Sequence, residues 1–204
     1  MFQTQQHTPL VLASSSATRR AMLSNAGLVC AWQDSGVDEC ALKEALQQSG
    51  AAPATAALAL ATAKAEVVSA RTPGTLVIGA DQLLVSHGEW FDKPVSLAEA
   101  EAQLMRLSGQ TQRLVTAAVV VQDGAIRWQT VTAPEITLRP FDKAFARRYL
   151  AACGDRVLGS VGACQIEHYG AQLIAAIDGD LFSILGLPLL PLLAFLRQEG
   201  VLVA

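Results

Sequence analysis

The sequence has no long apolar run, no paired-cysteine motif and no glycine-rich phosphate loop, and each absence removes a class of protein. Its most apolar stretch, 184–196, is shorter than the ~20 residues a membrane-spanning helix needs and carries Pro188 and Pro191. It reads as core, so no membrane partner is expected. The first nine residues lack the basic-then-apolar pattern of a signal peptide, which points to a cytoplasmic protein. The four cysteines, Cys30, Cys40, Cys153 and Cys164, show neither C-x-x-C nor cysteine–histidine ligand spacing. They are expected to be buried thiols in a reducing cytosol. The three histidines, His7, His87 and His168, suggest no nucleophilic triad. Without a Walker loop or a G-x-G-x-x-G fingerprint, the kinase, GTPase and dinucleotide readings weaken. A net charge of -3 and a pI near 5.6 provide no basic track for nucleic acid. Any polyanion bound should be small and held locally. There is no repeat, low-complexity segment or long linker, so residues 1–204 are expected to form one domain.

What is present is a chain that is 51% hydrophobic, ample for a core, with strands and helices in alternation. An alanine-rich helix is expected from about Ala54 to Ala70, its apolar stripe of Leu58, Ala61 and Ala65 lying beside Lys64. Leu76 to Val85 reads as a buried strand. Ser96 and Glu99 form a capping box for a helix to about Leu107. Asp123-Gly124 joins two valine- and threonine-rich strands, Leu114–Gln122 and Ile126–Leu138, as a hairpin. Asp142 caps a helix to about Cys153, and the glycine-broken segment 154–170 is too irregular for a regular element. A short strand at Leu173–Ile177 and a closing helix at Leu189–Glu199 complete the chain. One evident hairpin within an alternating order predicts an α/β fold with a mixed sheet.

Two local features carry chemistry. Residues 10–23, LVLASSSATRRAML, read as strand, serine-rich turn and helix with arginines in the first turn. The amino end of a helix favours anions, and cations there cost roughly 0.3–1 kcal/mol each. Arg19 and Arg20 therefore point to an anion: if Ser16 caps the helix, free N–H groups, the hydroxyls of Ser14 to Ser16 and the guanidinium groups converge on phosphate oxygens. The competing reading is a capped helix with its arginines in solvent. The second feature is Asp81, a carboxylate inside an apolar strand, which needs a metal, a cation or several donors to offset desolvation; satisfaction by backbone N–H groups alone is the plainer alternative. Lys64 and Lys93 are candidates to reach a ligand, against the usual role of lysine as a solvated charge. Asp38 and Glu39 offer further metal-binding oxygens. Glu167, in the irregular segment, either contacts a base edge or is an ordinary surface glutamate.

Taken in order, these blocks resemble the Maf family of septum-formation-associated nucleotide pyrophosphatases. The resemblance is carried by Leu12-Ala-Ser-Ser-Ser-Ala-Thr-Arg-Arg20, Val37-Asp-Glu39, Ala63-Lys-Ala65 and Ile78-Gly-Ala-Asp-Gln82. Lys93-Pro94, Leu107-Ser-Gly109 with Thr116, and Leu185-Gly-Leu-Pro-Leu189 extend it over nearly the whole chain. It implies an elongated mixed sheet flanked by helices, of the Maf/ITPase kind, with a cleft between two lobes and a homodimer as a reasonable expectation. It also implies hydrolysis of a nucleoside triphosphate to its monophosphate and pyrophosphate with a divalent cation, Mg²⁺ or Mn²⁺, clearing modified or noncanonical nucleotides. The rival is a nucleotide-binding regulator of cell division with little turnover. On the matched positions Asp81, Lys64 and Lys93 would be catalytic. Ser14, Ser16, Arg19, Arg20, Gln82 and Glu167 would bind substrate, and Glu39 with Asp81 would hold the metal. Asp81-Gln82, the spacer before Arg19 and Glu167 look like the branch acting on 7-methyl-GTP rather than the dTTP/UTP branch. Ala17 and Thr18, however, stand where that branch carries proline and tryptophan, which removes a stacking surface for a cationic base.

Overall fold

The computed structural model describes residues 2–4 and 8–203; His7 lies outside them. Eight strands form one sheet in the order β2-β1-β3-β5-β7-β8, with β4 pairing β3 and β6 pairing β5. In chain order the strands are β1 (Leu10–Leu12), β2 (Ala31–Trp32), β3 (Leu76–Ser86), β4 (Glu89–Phe91), β5 (Thr111–Gln122), β6 (Ala125–Thr132), β7 (Glu135–Leu138) and β8 (Ile174–Asp178). β1 runs parallel to β2 and β3, whereas the β3–β4, β5–β6, β5–β7 and β7–β8 pairs are antiparallel. The sheet is therefore mixed, as the single hairpin in an alternating chain predicts. The chain divides into two units. One holds the residues through Gln82, Thr116–Thr132 and those from Phe182 on; the other holds Leu83–Val115 and Ala133–Leu181.

In the first unit, α1 (Ala17–Asn25) and α7 (Leu189–Gln198) cover one face of β1 and β3. Leu10, Leu12, Leu76 and Ile78 pack there with Met22, Leu23, Leu192 and Leu196 in one apolar cluster, because alternate strand residues point to the same side. Trp128 of β6 stacks on Phe195 with ring centroids 5.6 Å apart. α3 (Pro53–Ser69) begins with proline at its first turn, where the missing N–H costs nothing, and buries Ala56, Ala57, Leu60, Ala61, Lys64, Ala65 and Val68. Small side chains let this helix lie close. A Cβ built on Gly79 of β3 would stand only 2.1 Å from the Ala61 carbonyl oxygen and 2.8 Å from Ala65 Cβ. Ser16 caps α1 by accepting from the Arg19 N–H at 3.4 Å. Ser16→Ala is expected to cost about 1 kcal/mol, seen as a drop of roughly 2–4 °C in Tm.

In the second unit, α4 (Leu97–Leu107) follows Ser96, whose hydroxyl accepts from Glu99 N at 3.2 Å. The capping glutamate reaches back one residue further than the standard motif, its Oε2 accepting from Val95 N at 2.9 Å. α5 (Lys143–Cys153) is capped by Asp142. Arg147 and Lys143 on α5 both bind Glu101 of α4 and hold its carboxyl below the usual carboxylate range, mainly through the Arg147 hydrogen bond. The glycine-broken segment forms 3₁₀ turns at Gly154–Gly159, Val161–Ala163 and Tyr169–Leu173.

Three expectations are corrected. The strand expected over Ile126–Leu138 is two strands: β6 pairs with the Thr116–Gln122 end of β5 and β7 with Thr111–Arg113, the change falling at Pro134, which has no N–H to give a ladder. A helix, α2 (Glu39–Gln48), begins at the acidic pair and fills a stretch for which no element is expected; it is capped by Asp38, and Lys43 is its one buried residue. Of the cysteines expected to be buried, Cys40 is exposed on α2, while Cys153 is buried and Cys30 and Cys164 are intermediate.

Candidate active site

The geometry around Asp81 begins with the close approach of α3 to β3. With no side chain on Gly79, the helix settles against the strand, and Lys64, one turn beyond Ala61, reaches Asp81 two residues beyond Gly79. Lys64 Nζ donates to Asp81 Oδ1 at 2.6 Å and lies 2.8 Å from Glu39 Oε2. The two inner members are closed off, with side-chain exposures of 6% for Lys64 and 9% for Asp81, whereas Glu39 is 52% exposed. Glu39 is the first residue of α2, where its negative charge is also favoured by the helix dipole. A buried carboxylate needed a cation, and Lys64 is that cation. One lysine between two carboxylates leaves a net negative charge, open towards solvent on the Glu39 side.

Arg19 lies within the field of this cluster. Its Nε donates to Gly186 O at 2.7 Å, and its Nη1 donates to Ala80 O at 2.9 Å and to Ser14 Oγ at 3.2 Å. Burial works against the guanidinium charge, while Asp81 and then Glu39 favour it. Arg19 thus ties together the serine-rich turn, the strand residue preceding Asp81 and the turn before α7. Ser14 Oγ also accepts from Ser16 N at 3.3 Å, and Ser16 serves as the helix cap. Arg20, next along α1, turns elsewhere, its Cζ 4.4 Å from the centroid of the Trp32 ring. Gln82 spends its amide nitrogen on Thr116 Oγ1, Ser183 O and Ile184 O at 2.9–3.0 Å, and Thr116 Oγ1 in turn donates to Ser183 O. These bonds anchor the end of α6 (Leu181–Ile184) beside β3.

Asp81, Lys64, Glu39, Arg19, Ser14, Ser16, Arg20 and Gln82 therefore belong to one unit, and the first five are linked by direct bonds or by charge. Lys93 and Glu167 belong to the other. Lys93 is exposed between β4 and α4, ahead of the buried Pro94, and Glu167 is exposed between two 3₁₀ turns. The sequence reading missed Trp32 and the Gly186 carbonyl. The signal available for Gly186 was a glycine between leucines just before Pro188, and it adopts φ +99°.

Among the described residues no cluster of three or more histidine, cysteine, aspartate or glutamate side chains is arranged for a metal. Glu39 and Asp81 remain as a pair of oxygen donors. That set suits a hard cation which keeps several waters and takes the rest of its ligands from substrate phosphates, as Mg²⁺ does.

An open α/β sheet with a carboxylate–lysine–carboxylate cluster near a serine-rich helix start defines the class, and the chain belongs to the Maf-like protein family, which it matches over residues 9–199. Its curated relatives include the 7-methyl-GTP pyrophosphatase of Mesorhizobium japonicum, 50% identical over 191 residues, covering 94% of this chain and 96% of that protein. The protein of the same name from Rhizobium etli is 49% identical over the same shares. The nucleoside triphosphate pyrophosphatase of Granulibacter bethesdensis is 47% identical over 193 residues, 95% of this chain and 98% of that one.

Proposed function

We propose that this protein is a hydrolase that cleaves a nucleoside triphosphate between the α- and β-phosphates, releasing the monophosphate and pyrophosphate, with 7-methyl-GTP the first substrate to test. The observation that carries the reading is the buried Lys64 held between Asp81 and Glu39. A site built only to grip phosphate needs cations, whereas this one places a desolvated carboxylate among them. Family membership and relatives named for this activity support it.

In this mechanism Asp81 orients a water and takes its proton as the water oxygen attacks the α-phosphorus in line. The α–β bridging bond breaks, and its electron pair leaves on pyrophosphate. Lys64 holds the Asp81 carboxylate in place through its 2.6 Å bond to Oδ1. The N–H groups at the start of α1, the serine-rich turn and Arg20 take the phosphate charge. Glu39 and Asp81 would hold a divalent cation, which supplies charge neutralisation and lowers the pKa of bound water.

The test is a panel of common and modified nucleoside triphosphates, 7-methyl-GTP included, with Mg²⁺ or Mn²⁺, reading monophosphate and pyrophosphate. Release of pyrophosphate from one or more is expected, and binding without turnover across the panel overturns the reading in favour of a nucleotide-binding regulator. Chelation with EDTA is expected to lower the rate roughly tenfold or more, with recovery on adding Mg²⁺ or Mn²⁺. A rate unchanged by chelation removes Glu39 as a metal ligand.

A further inference from the structure

The two adjacent arginines of α1 are treated differently by the fold. Arg19 is bound to three protein acceptors, Gly186 O, Ala80 O and Ser14 Oγ. The side chain of Arg20, also half-buried, makes no hydrogen bond or ion pair with the described residues; its guanidinium lies over the face of Trp32, 4.4 Å from Cζ to ring centroid. Trp32 is fixed for this contact. It is in register with Leu12 in the parallel β1–β2 pair, and Gln33 N donates to Leu12 O at 3.0 Å. Register partners in a parallel pair point to the same face, and Leu12 faces the cluster containing Met22 and Leu23 of α1, so the indole meets that helix. It stands beside the end of β1 from which the serine-rich turn departs, and it is 49% exposed, large for a tryptophan without a role in the core.

We infer that Trp32 is a positioning residue: its indole holds the Arg20 guanidinium ready for the substrate's phosphates, while Arg19 acts as an internal tie between the turn and the strand carrying Asp81. The inference rests on the nucleotide-hydrolysis reading. A guanidinium held by an aromatic ring keeps its N–H donors unspent, so they remain available for bidentate contact with phosphate. It also loses its rotamer freedom in the folded protein rather than on binding, which favours the complex.

A double-mutant cycle on the full chain tests this. Trp32→Ala is expected to lower kcat/KM about 3- to 10-fold, mostly through KM, and Trp32→Phe to restore most of the loss. Arg20→Ala is expected to lower it about 10- to 100-fold, and adding Trp32→Ala to it to do nothing more. Inorganic tripolyphosphate, which has no base, is expected to inhibit the Trp32→Ala variant more weakly by the same factor as the change in KM. A Trp32→Ala effect of equal size in both backgrounds makes the residue merely structural and overturns the inference. So does unweakened inhibition by tripolyphosphate, which assigns the indole to the base instead. If the wild-type protein hydrolyses no nucleotide, the functional reading fails on its own; tripolyphosphate binding, measured by calorimetry across the same four proteins, still decides whether Trp32 prepares Arg20.

Discussion

Asp81→Asn is expected to lower the rate of pyrophosphate release by about 10²-fold or more, with nucleotide binding retained, in line with the loss of a general base. The substitution is nearly isosteric and removes only the charge and basicity of a side chain that is 9% exposed. It does not strand Lys64, which keeps Glu39 Oε2 at 2.8 Å, so the protein is expected to fold. Lys64→Met is the informative contrast: it removes the cation beside a buried carboxylate and, by leaving that charge unpaired, should destabilise the fold by roughly 3–5 kcal/mol. Single-turnover kinetics and equilibrium binding separate these effects. An Asp81→Asn variant with undiminished turnover removes Asp81 from the chemistry.

Gly79→Ala is expected to be severely destabilising although it adds one methyl group. That methyl would lie 2.1 Å from a backbone oxygen of α3, an atom with no flexible side chain to move aside, so the helix itself must shift. The cost should sit at or above the upper end of overpacking penalties, about 3 kcal/mol, or a fall in Tm of roughly 6–12 °C for a chain of this size. Activity should fall further than stability alone accounts for, because Lys64 moves away from Asp81 with the helix. Gly159→Ala is the control: nothing lies within 4 Å of its added Cβ, its φ is not left-handed, and thermal denaturation should show a change within about 0.5 kcal/mol. A Gly79→Ala protein as stable as wild type would show that α3 and β3 can separate without cost.

The residues named by the sequence mostly lie where local rules put them. The Asp123-Gly124 hairpin forms with both residues left-handed, at φ +49° and +78°, as a tight two-residue turn between right-twisting strands requires. Ser16, Ser96 and Asp142 cap the three helices expected of them, because a capping bond involves residues only three apart. What escaped has equally local reasons. α2 carries Ala41, Leu42, Ala45 and Leu46 at helical spacing between Asp38 and Gly50, a short period that the sequence reading missed, and none of the four is buried. β6 and β7 read as one strand because both are rich in threonine and apolar residues, and only Pro134 marked the exchange. Trp32 gave no sign of a role, since a two-residue strand has no pattern.

By itself the sequence determined the α/β alternation, the buried carboxylate, the serine-capped start of α1 and, through the order of its motifs, the family. These follow from periods of two and 3.6 residues, from caps and turns, and from the cost of a charge in an apolar strand. Tertiary structure alone decided how the charges are shared: Lys64 between Asp81 and Glu39, Arg19 on backbone carbonyls, and Arg20 on an indole. The partners are separated by 12 to 167 residues in the chain. Their meeting depends on how closely α3 can lie on β3 and on where β2 places its tryptophan, which no local pattern encodes.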